Sequence, residues 1–330
     1  MAAPPPAVAA VRTAVRRSLA TGPAPARVLV ACSGGPDSFA LAAATAFVAP
    51  RLGIPAGLVT VDHRLQPGSA ERAETVAEWA QKEGFAPVLV ETVDVSGRAG
   101  GPEAAAREAR YEALVRAARA HDADTVLLGH TRDDQAETVL LAMLRGAGAR
   151  GLAAMPARRV VDGVTLIRPL LAIGREQTLA CCEELDLRPW DDPHNRDPAF
   201  ARARARSLLK SLVDSLGPAV VANLARTASL AAADTEALDA LASQVTNAAT
   251  EADGSLRVAV LTDLPTAVRT RVLRGWALAL GVPAAALAHR HLEALDALLT
   301  AWRGQGPVHL PGGVTVARRA GRLVVGTKIP

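Results

Sequence analysis

Arg27–Ser38 reads RVLVACSGGPDS, and the junction inside it decides the fold. The apolar run RVLVAC gives way at Ser33-Gly34-Gly35-Pro36-Asp37-Ser38 to the alanine-rich FALAAATAFV. That is the pattern of a strand entering a tight turn and then a helix. Two glycines let backbone N–H groups come close to an anion, and the helix that follows presents about half a unit of positive charge. Ser33 and Ser38 add hydroxyls. The turn is no Walker A loop, which ends in Gly-Lys-Ser/Thr, and no Gly-x-Gly-x-x-Gly dinucleotide fingerprint. It reads as a phosphate-binding turn, with an ordinary Ser/Gly turn capped by an acid as the plainer alternative.

Outward from this point, apolar runs recur at Arg27–Cys32, Gly57–Val61, Pro87–Glu91, Thr125–Gly129 and Val164–Ile167. Helical patterns separate them at Ser38–Val48, Ser69–Glu83, Pro102–His121, Asp133–Arg145 and Arg175–Leu185. Such alternation predicts an α/β domain with a parallel sheet. Ligands bind beyond the carboxyl ends of such strands, where Ser33, Asp62, His63, His130 and Arg168 all fall. The pattern changes near Lys210. A smaller, mainly helical domain is expected over 211–330, with 1–210 as the nucleotide domain. LRVAVL (Leu256–Leu261) reads as a short strand, and PVHLPGGVTVARRAGRLVVG as a closing β-hairpin or meander with turns at Gly312-Gly313 and Ala320-Gly321.

Half of the 330 residues are apolar, yet the longest apolar stretch, Phe39–Pro50, is too short for the roughly 20 residues of a membrane span. No membrane partner is expected. The N-terminal MAAPPPAVAAVRTAVRRSLA is basic and lacks the apolar block of a secretory signal. Cys32, Cys181 and Cys182 form no C-x-x-C pair or metal-ligand spacing, which suits a reducing cytoplasm. Formal charge is +4 and nearly all of the cations are arginine. Arg168, Arg175, Arg202, Arg204 and Arg206 crowd a stretch where basic residues outnumber the acids, a plausible contact for a phosphate backbone.

GHTRDDQAETVLLAMLRGAGARGLAAM (Gly129–Met155) carries the acids. On a helix, Asp133 and Glu137 stand four apart and Asp134 and Glu137 three apart, so the carboxylates share a face at a cost of a few tenths of a kcal/mol. Capping of a helix start is the plain reading. The functional one is a cation site, for Mg²⁺ bridging phosphate oxygens or for a substrate ammonium. Asp62-His63 end a strand where nucleotide, ribose or metal is met, or they cap a loop. Arg107 and Arg110 share a helix with Glu103 and Glu108, where solvated ion pairs are the plain account. Cys32 adjoins the loop as a small core residue rather than a sulfur carrier.

The loop resembles the SGGxDS turn of the PP-loop ATP pyrophosphatases. Together with VDHRLQPGSAERA, PEAAAREARYEAL, the Gly129–Met155 segment, IRPLLAIGRE and DPHNRDPAFARARAR, the order of motifs over about 1–210 resembles the bacterial tRNA(Ile)-lysidine synthetase family. Departures are Arg64-Leu65-Gln66 where the family has Gly-Leu-Arg, and Ala203 in place of an asparagine. The resemblance implies a ligase that uses ATP and free L-lysine to modify the wobble cytidine of an isoleucine tRNA with a CAU anticodon. It implies that Ser33, Gly34, Gly35, Pro36, Asp37 and Ser38 hold ATP phosphates, with Asp37 helping to bind Mg²⁺, and that Asp62 and His63 meet the nucleotide. It puts the lysine ammonium at Asp133, Asp134 and Glu137, with Asp37, Asp134 and Glu137 as the catalytic acids. Arg107, Arg110, Arg168, Arg175, Arg202, Arg204 and Arg206 become substrate ligands. Extended, the last three would share one side; on a helix they would spread around it. A tRNA thiolase would use the same loop to deliver sulfur, but the cysteine pattern opposes it. A nucleotide-binding module without catalysis is opposed by the intact acids. A homodimer is left open.

Overall fold

The structure, a computed structural model, describes residues 3–64, 68–94, 102–190, 197 and 199–326, with 102–104 in backbone alone. Gln66 and most of the DPHNRD motif lie outside the described residues. A helix α1 (Pro6–Ala20) precedes β1 (Val28–Ala31), and α2 (Pro36–Val48) leaves the Ser/Gly turn. Then come β2 (Ala56–Asp62), α3 (Ser69–Lys82), β3 (Val88–Thr92), α4 (Pro102–Ala120), β4 (Thr125–Leu128) and α5 (Arg132–Leu144). They are followed by α6 (Gly148–Leu152), β5 (Arg158–Val161), β6 (Val164–Ile167), α7 (Arg175–Glu184) and α8 (Ala201–Leu216).

The sheet order is β3-β2-β1-β4-β6-β5, parallel throughout except for the edge strand β5. The chain runs outward from β1 to β3 and then crosses to the other side of β1 with β4. This reversal leaves a crevice beyond the carboxyl ends of β1 and β4, the place where open α/β sheets take ligands. Alternation along the strands fills two layers. Val28, Val30, Leu58 and Leu127 cluster with Val11, Leu41 and the α7 cysteines, while Leu29, Val59, Val126 and Leu128 cluster with Leu114 and Ala118 of α4.

Three elements of this half, α1, β5 and the short α6, were not expected. In α1, Val8, Val11, Val15 and Leu19 are buried at helical spacing, so the basic N-terminal stretch contributes to the core. β5 forms a hairpin with β6 across Asp162-Gly163, and its RRVV sequence hid it because three of the four residues face solvent.

The chain divides into two compact units, Met1–Ala232 and Ala233–Pro330, and helix α9 (Ala219–Ala249) crosses the division. The second unit continues with β7 (Leu256–Arg257), α10 (Val258–Leu261), α11 (Thr266–Ala279), α12 (His289–Thr300), β8 (Val308–Leu310), β9 (Val314–Arg319) and β10 (Arg322–Gly326). Its sheet, ordered β7-β10-β9-β8, is antiparallel and closes on a core that includes Leu261, Leu273, Trp276, Leu298 and Leu323. The expected strand LRVAVL is extended only at Leu256–Arg257. Val258 and Leu261, three apart, turn their side chains into this core from a helical turn, a spacing that β-branched composition masked. No single helix among the described residues is long and apolar enough to cross a membrane.

Candidate active site

Gly34 turns the chain beyond β1 with φ of +84°, a conformation that side chains disfavour. Gly35 then caps α2, and Pro36 fills its first position, where a missing N–H costs nothing. The Ser38 hydroxyl ties the turn together. It donates to the Gly35 carbonyl (2.9 Å), accepts from the Ser33 N–H (3.1 Å) and lies 3.2 Å from Ser33 Oγ. Ser38 is buried, so Ser33 is the loop hydroxyl that faces solvent. From outside the motif, the Trp190 N–H holds the Gly34 carbonyl (2.9 Å), and the Trp190 ring stacks under Arg72 at 3.9 Å.

Gly129 follows β4 and presses on the same turn. A Cβ there would lie 3.1 Å from the Asp37 carbonyl oxygen and from the Ser38 backbone N and Cα. Gly129→Ala is therefore expected to push the first turn of α2 out of place, lowering turnover about 10-fold while costing about 1–3 kcal/mol of stability. Steady-state kinetics beside a urea melt would check both numbers.

Asp37 stands in the first turn of α2. It accepts the Thr178 hydroxyl of α7 on Oδ1, while Oδ2 lies 3.7 Å from Arg175 Nε. Burial pushes its carboxyl up to about 6, with Thr178 and Arg175 pulling the other way. The acids of α5 stand opposite. Asp134 takes the Thr131 N–H (2.8 Å) and hydroxyl (3.1 Å) on Oδ2, so the capping role is real. Its Oδ1 takes Arg175 Nη2 at 3.1 Å. Asp133 accepts the Arg175 backbone N–H (2.8 Å). Glu137 is 2 % exposed, and its Oε1 receives Arg175 Nη1 (3.3 Å) and Arg206 Nε (2.8 Å). Glu137 Oε2 is buried with no partner among the described residues. Burial works against the Arg175 charge, but Asp134, Glu137, Asp37 and Asp133 more than offset it and raise its pKa.

The other arginines make a different environment. Arg168 is 4 % exposed and donates to the Pro156 carbonyl (2.7 Å) and the Tyr111 hydroxyl (3.2 Å). Arg107 and Arg110 stand 5.4 and 5.7 Å from the Tyr111 ring centre. Burial lowers the pKa of both, and Arg202 lowers each further. Burial, with repulsion from Arg110, Arg168, Arg202 and Arg107, holds His130 well below its ordinary pKa and hence neutral. His63 is lowered by burial and by Arg110. Arg110 Nε, Arg168 Nε and the Nδ1 atoms of His63 and His130 are buried without partners among the described residues. Groups of this kind are rarely left so unless something polar meets them.

The structure thus brings together two sets of opposite sign. The plain reading of Arg110 as a solvated ion pair gives way, since it sits in a half-buried arginine cluster around the buried Arg168; the side chain of Glu103 lies outside the described residues. Arg202, Arg204 and Arg206 spread around α8. Arg202 joins the arginine cluster, Arg204 donates to the Ala199 carbonyl (3.0 Å), and Arg206 reaches Glu137. Arg175, which the sequence put on substrate, faces carboxylates. Asp62 accepts the Arg64 N–H (2.8 Å); burial raises its pKa, but Arg64 and Ser69 hold it below the ordinary range, a strand-end cap. Thr178, Trp190 and Tyr111 were missed, because only long-range contacts give them a role. No group of three or more metal-binding side chains occurs among the described residues.

Residues 10–212 match the PP-loop domain family and residues 256–324 the TilS substrate binding domain. The tRNA(Ile)-lysidine synthase of Salinispora tropica is 63 % identical over 98 % of this chain and 97 % of its own length. This chain belongs to the tRNA(Ile)-lysidine synthase family. The lysidine synthases of Thermobifida fusca (55 % identical, 98 % of this chain and 99 % of that protein) and Mycobacterium bovis (48 %, 91 % and 88 %) are similar along the same span. In fold alone it also resembles the U34-tRNA thiolase NcsA from Methanococcus maripaludis with its [4Fe-4S] cluster, with a TM-score of 0.54 and 18 % identity over 67 % of this chain and 78 % of that one. Thiol chemistry does not suit this lysidine synthase family member. All three cysteines are buried, which pushes Cys32 up to about 11 and Cys182 up to about 12.

Proposed function

We infer that this chain ligates lysine to C2 of the wobble cytidine in the CAU anticodon of an isoleucine tRNA, at the cost of ATP cleaved to AMP and pyrophosphate. The observation that carries the reading is the pairing of a Ser/Gly turn suited to an anion with a carboxylate set on one side and a half-buried arginine cluster on the other. ATP phosphates would lie against the N–H groups of Ser33–Ser38 and the start of α2. Asp37 suits Mg²⁺, which usually takes one or two carboxylates plus substrate phosphates, since its desolvated charge is weakly compensated. Bound there, the ion would neutralise the leaving pyrophosphate. The α5 acids fit a metal less well, because arginines already occupy them.

The C2 oxygen of cytidine attacks the α-phosphorus and pyrophosphate leaves. The oxygen of C2 now belongs to an adenylate, a good leaving group. The lysine ε-amine attacks C2, the C–O bond breaks, AMP departs, and the amine proton is lost. Arg107, Arg110, Arg168 and Arg202 are suited to the phosphate oxygens and to a splayed base, since guanidinium planes pair bidentately and stack. Glu137 Oε2 is suited to the lysine ammonium. An amine of pKa near 10.4 is neutral in only about one molecule per thousand at pH 7, so the same carboxylate that binds it is the natural acceptor of its proton. The segment 211–330 would then recognise tRNA outside the CAU loop, which elongator methionine tRNA shares.

The test is to supply ATP, Mg²⁺, labelled lysine and either tRNA, then identify nucleosides by mass. Lysine-bearing cytidine from the isoleucine tRNA alone, with one AMP per lysine, is the expected result. AMP and pyrophosphate with no lysine transfer would redirect the search to another acceptor.

A further inference from the structure

We propose that Arg175 is a positioning residue for lysine transfer, acting through Glu137 and Asp134 rather than by touching substrate. Its side chain meets three acids from two elements, Asp37 of α2 and Asp134 and Glu137 of α5, at 3.7, 3.1 and 3.3 Å. Its own N–H adds a fourth, Asp133, at 2.8 Å. Four carboxylates so close repel, and acids three or four apart on a helix destabilise it. A planar guanidinium offers five N–H donors in a fixed fork that reaches oxygens on opposite sides, where an ammonium is a compact point charge with three.

The arrangement also divides the two oxygens of Glu137. Oε1 is held by Arg175 and Arg206, while Oε2 is buried and has no partner among the described residues. Arg175 therefore fixes the rotamer that leaves Oε2 for an incoming cation. This role rests on the lysine-ligation reading above.

The experiment is a double-mutant cycle with Arg175→Met and Glu137→Gln, read in lysidine turnover and in thermal unfolding. Arg175→Met is expected to lower kcat about 30-fold with the KM values for ATP and lysine within about 3-fold, and methylguanidinium in the buffer should restore at least about 5-fold of it. In the Glu137→Gln background the same change should cost less than about 3-fold. Multiplicative losses, a rise in KM alone, or no rescue would overturn the proposal. If Arg175→Met does not fold, Arg175→Lys gives the same comparison with the charge kept and the fork lost. Absence of lysidine from the wild type would remove the ligation reading only. The unfolding cycle then stands as the test of the clamp, with Arg175→Met lowering the midpoint by about 4 °C in the wild type and by about 2 °C beside Glu137→Gln, where the Asp134 and Asp37 contacts remain. Equal shifts in the two backgrounds would overturn it.

Discussion

Asp37→Asn is expected to abolish adenylation, lowering pyrophosphate release about 1000-fold, while leaving the fold as stable as before or raising its midpoint by about 2 °C. The two halves have one cause. The carboxylate sits in the first turn of α2, largely desolvated, with Arg175 Nε 3.7 Å away. Burial lifts its pKa from 3.8 to about 6, so the folded protein holds the neutral form more readily than the unfolded chain does. At neutral pH the charge is a cost to folding, which the proposed function explains by a cation beside the pyrophosphate. Asparagine keeps an oxygen for the Thr178 hydroxyl and removes that cost. The sign can be followed with pH. As pH falls below about 6 the wild-type side chain takes up its proton and its penalty declines toward zero near pH 3.8, so the advantage of Asp37→Asn should shrink between pH 7 and pH 5. Thermal melts at both pH values, beside a pyrophosphate assay, check the pair of effects. Retention of adenylation by the variant would remove Asp37 from the metal and phosphate chemistry.

How far the sequence spoke depended on whether a residue's partner lay near it in the chain. Runs such as VLVA and VTLI announce buried strands by composition, and Ser33–Ser38 announces its turn because the strand, the glycines and the helix are consecutive. Asp134 is an intermediate case. An acid three residues after Thr131 is a local capping signal, and the structure uses it that way while also giving its second oxygen to Arg175. Arg175 itself was opaque. A basic residue in a basic stretch suggests phosphate, and nothing within a helical turn of it reveals acids that lie about 40 residues upstream. The same holds for Thr178, which finds Asp37 across 141 residues, and for Trp190, whose N–H finds Gly34. Helix α1 was legible in retrospect, since Val8, Val11, Val15 and Leu19 repeat at helical spacing. Alternation of Arg202, Arg204 and Arg206 could not choose between strand and helix; α8 forms because Ala205 and Leu209, four apart, are buried.

Glu137→Gln separates the two chemical steps. In the proposed function, adenylation needs the loop, Asp37 and the arginine cluster, none of which uses Glu137 Oε2. Lysine transfer needs an anion that both holds an ammonium and takes its proton, and those needs conflict, since a carboxylate that binds the cation tightly raises its pKa. The geometry of Glu137 moderates the conflict. With Arg175 at 3.3 Å and Arg206 at 2.8 Å on Oε1, part of its charge is already balanced, so Oε2 can accept a proton-bearing amine without binding it beyond release. Glutamine keeps the shape and an oxygen for one arginine but presents no negative charge to the amine. Lysidine formation is expected to fall at least about 100-fold, with the KM for lysine raised. Pyrophosphate release in the absence of lysine should stay within about 5-fold of wild type. The adenylated tRNA should then accumulate and be open to capture by hydroxylamine, a nucleophile that needs no proton acceptor at neutral pH. An equal loss in both steps would make Glu137 part of the scaffold for ATP and would return the search for the lysine site to Asp133.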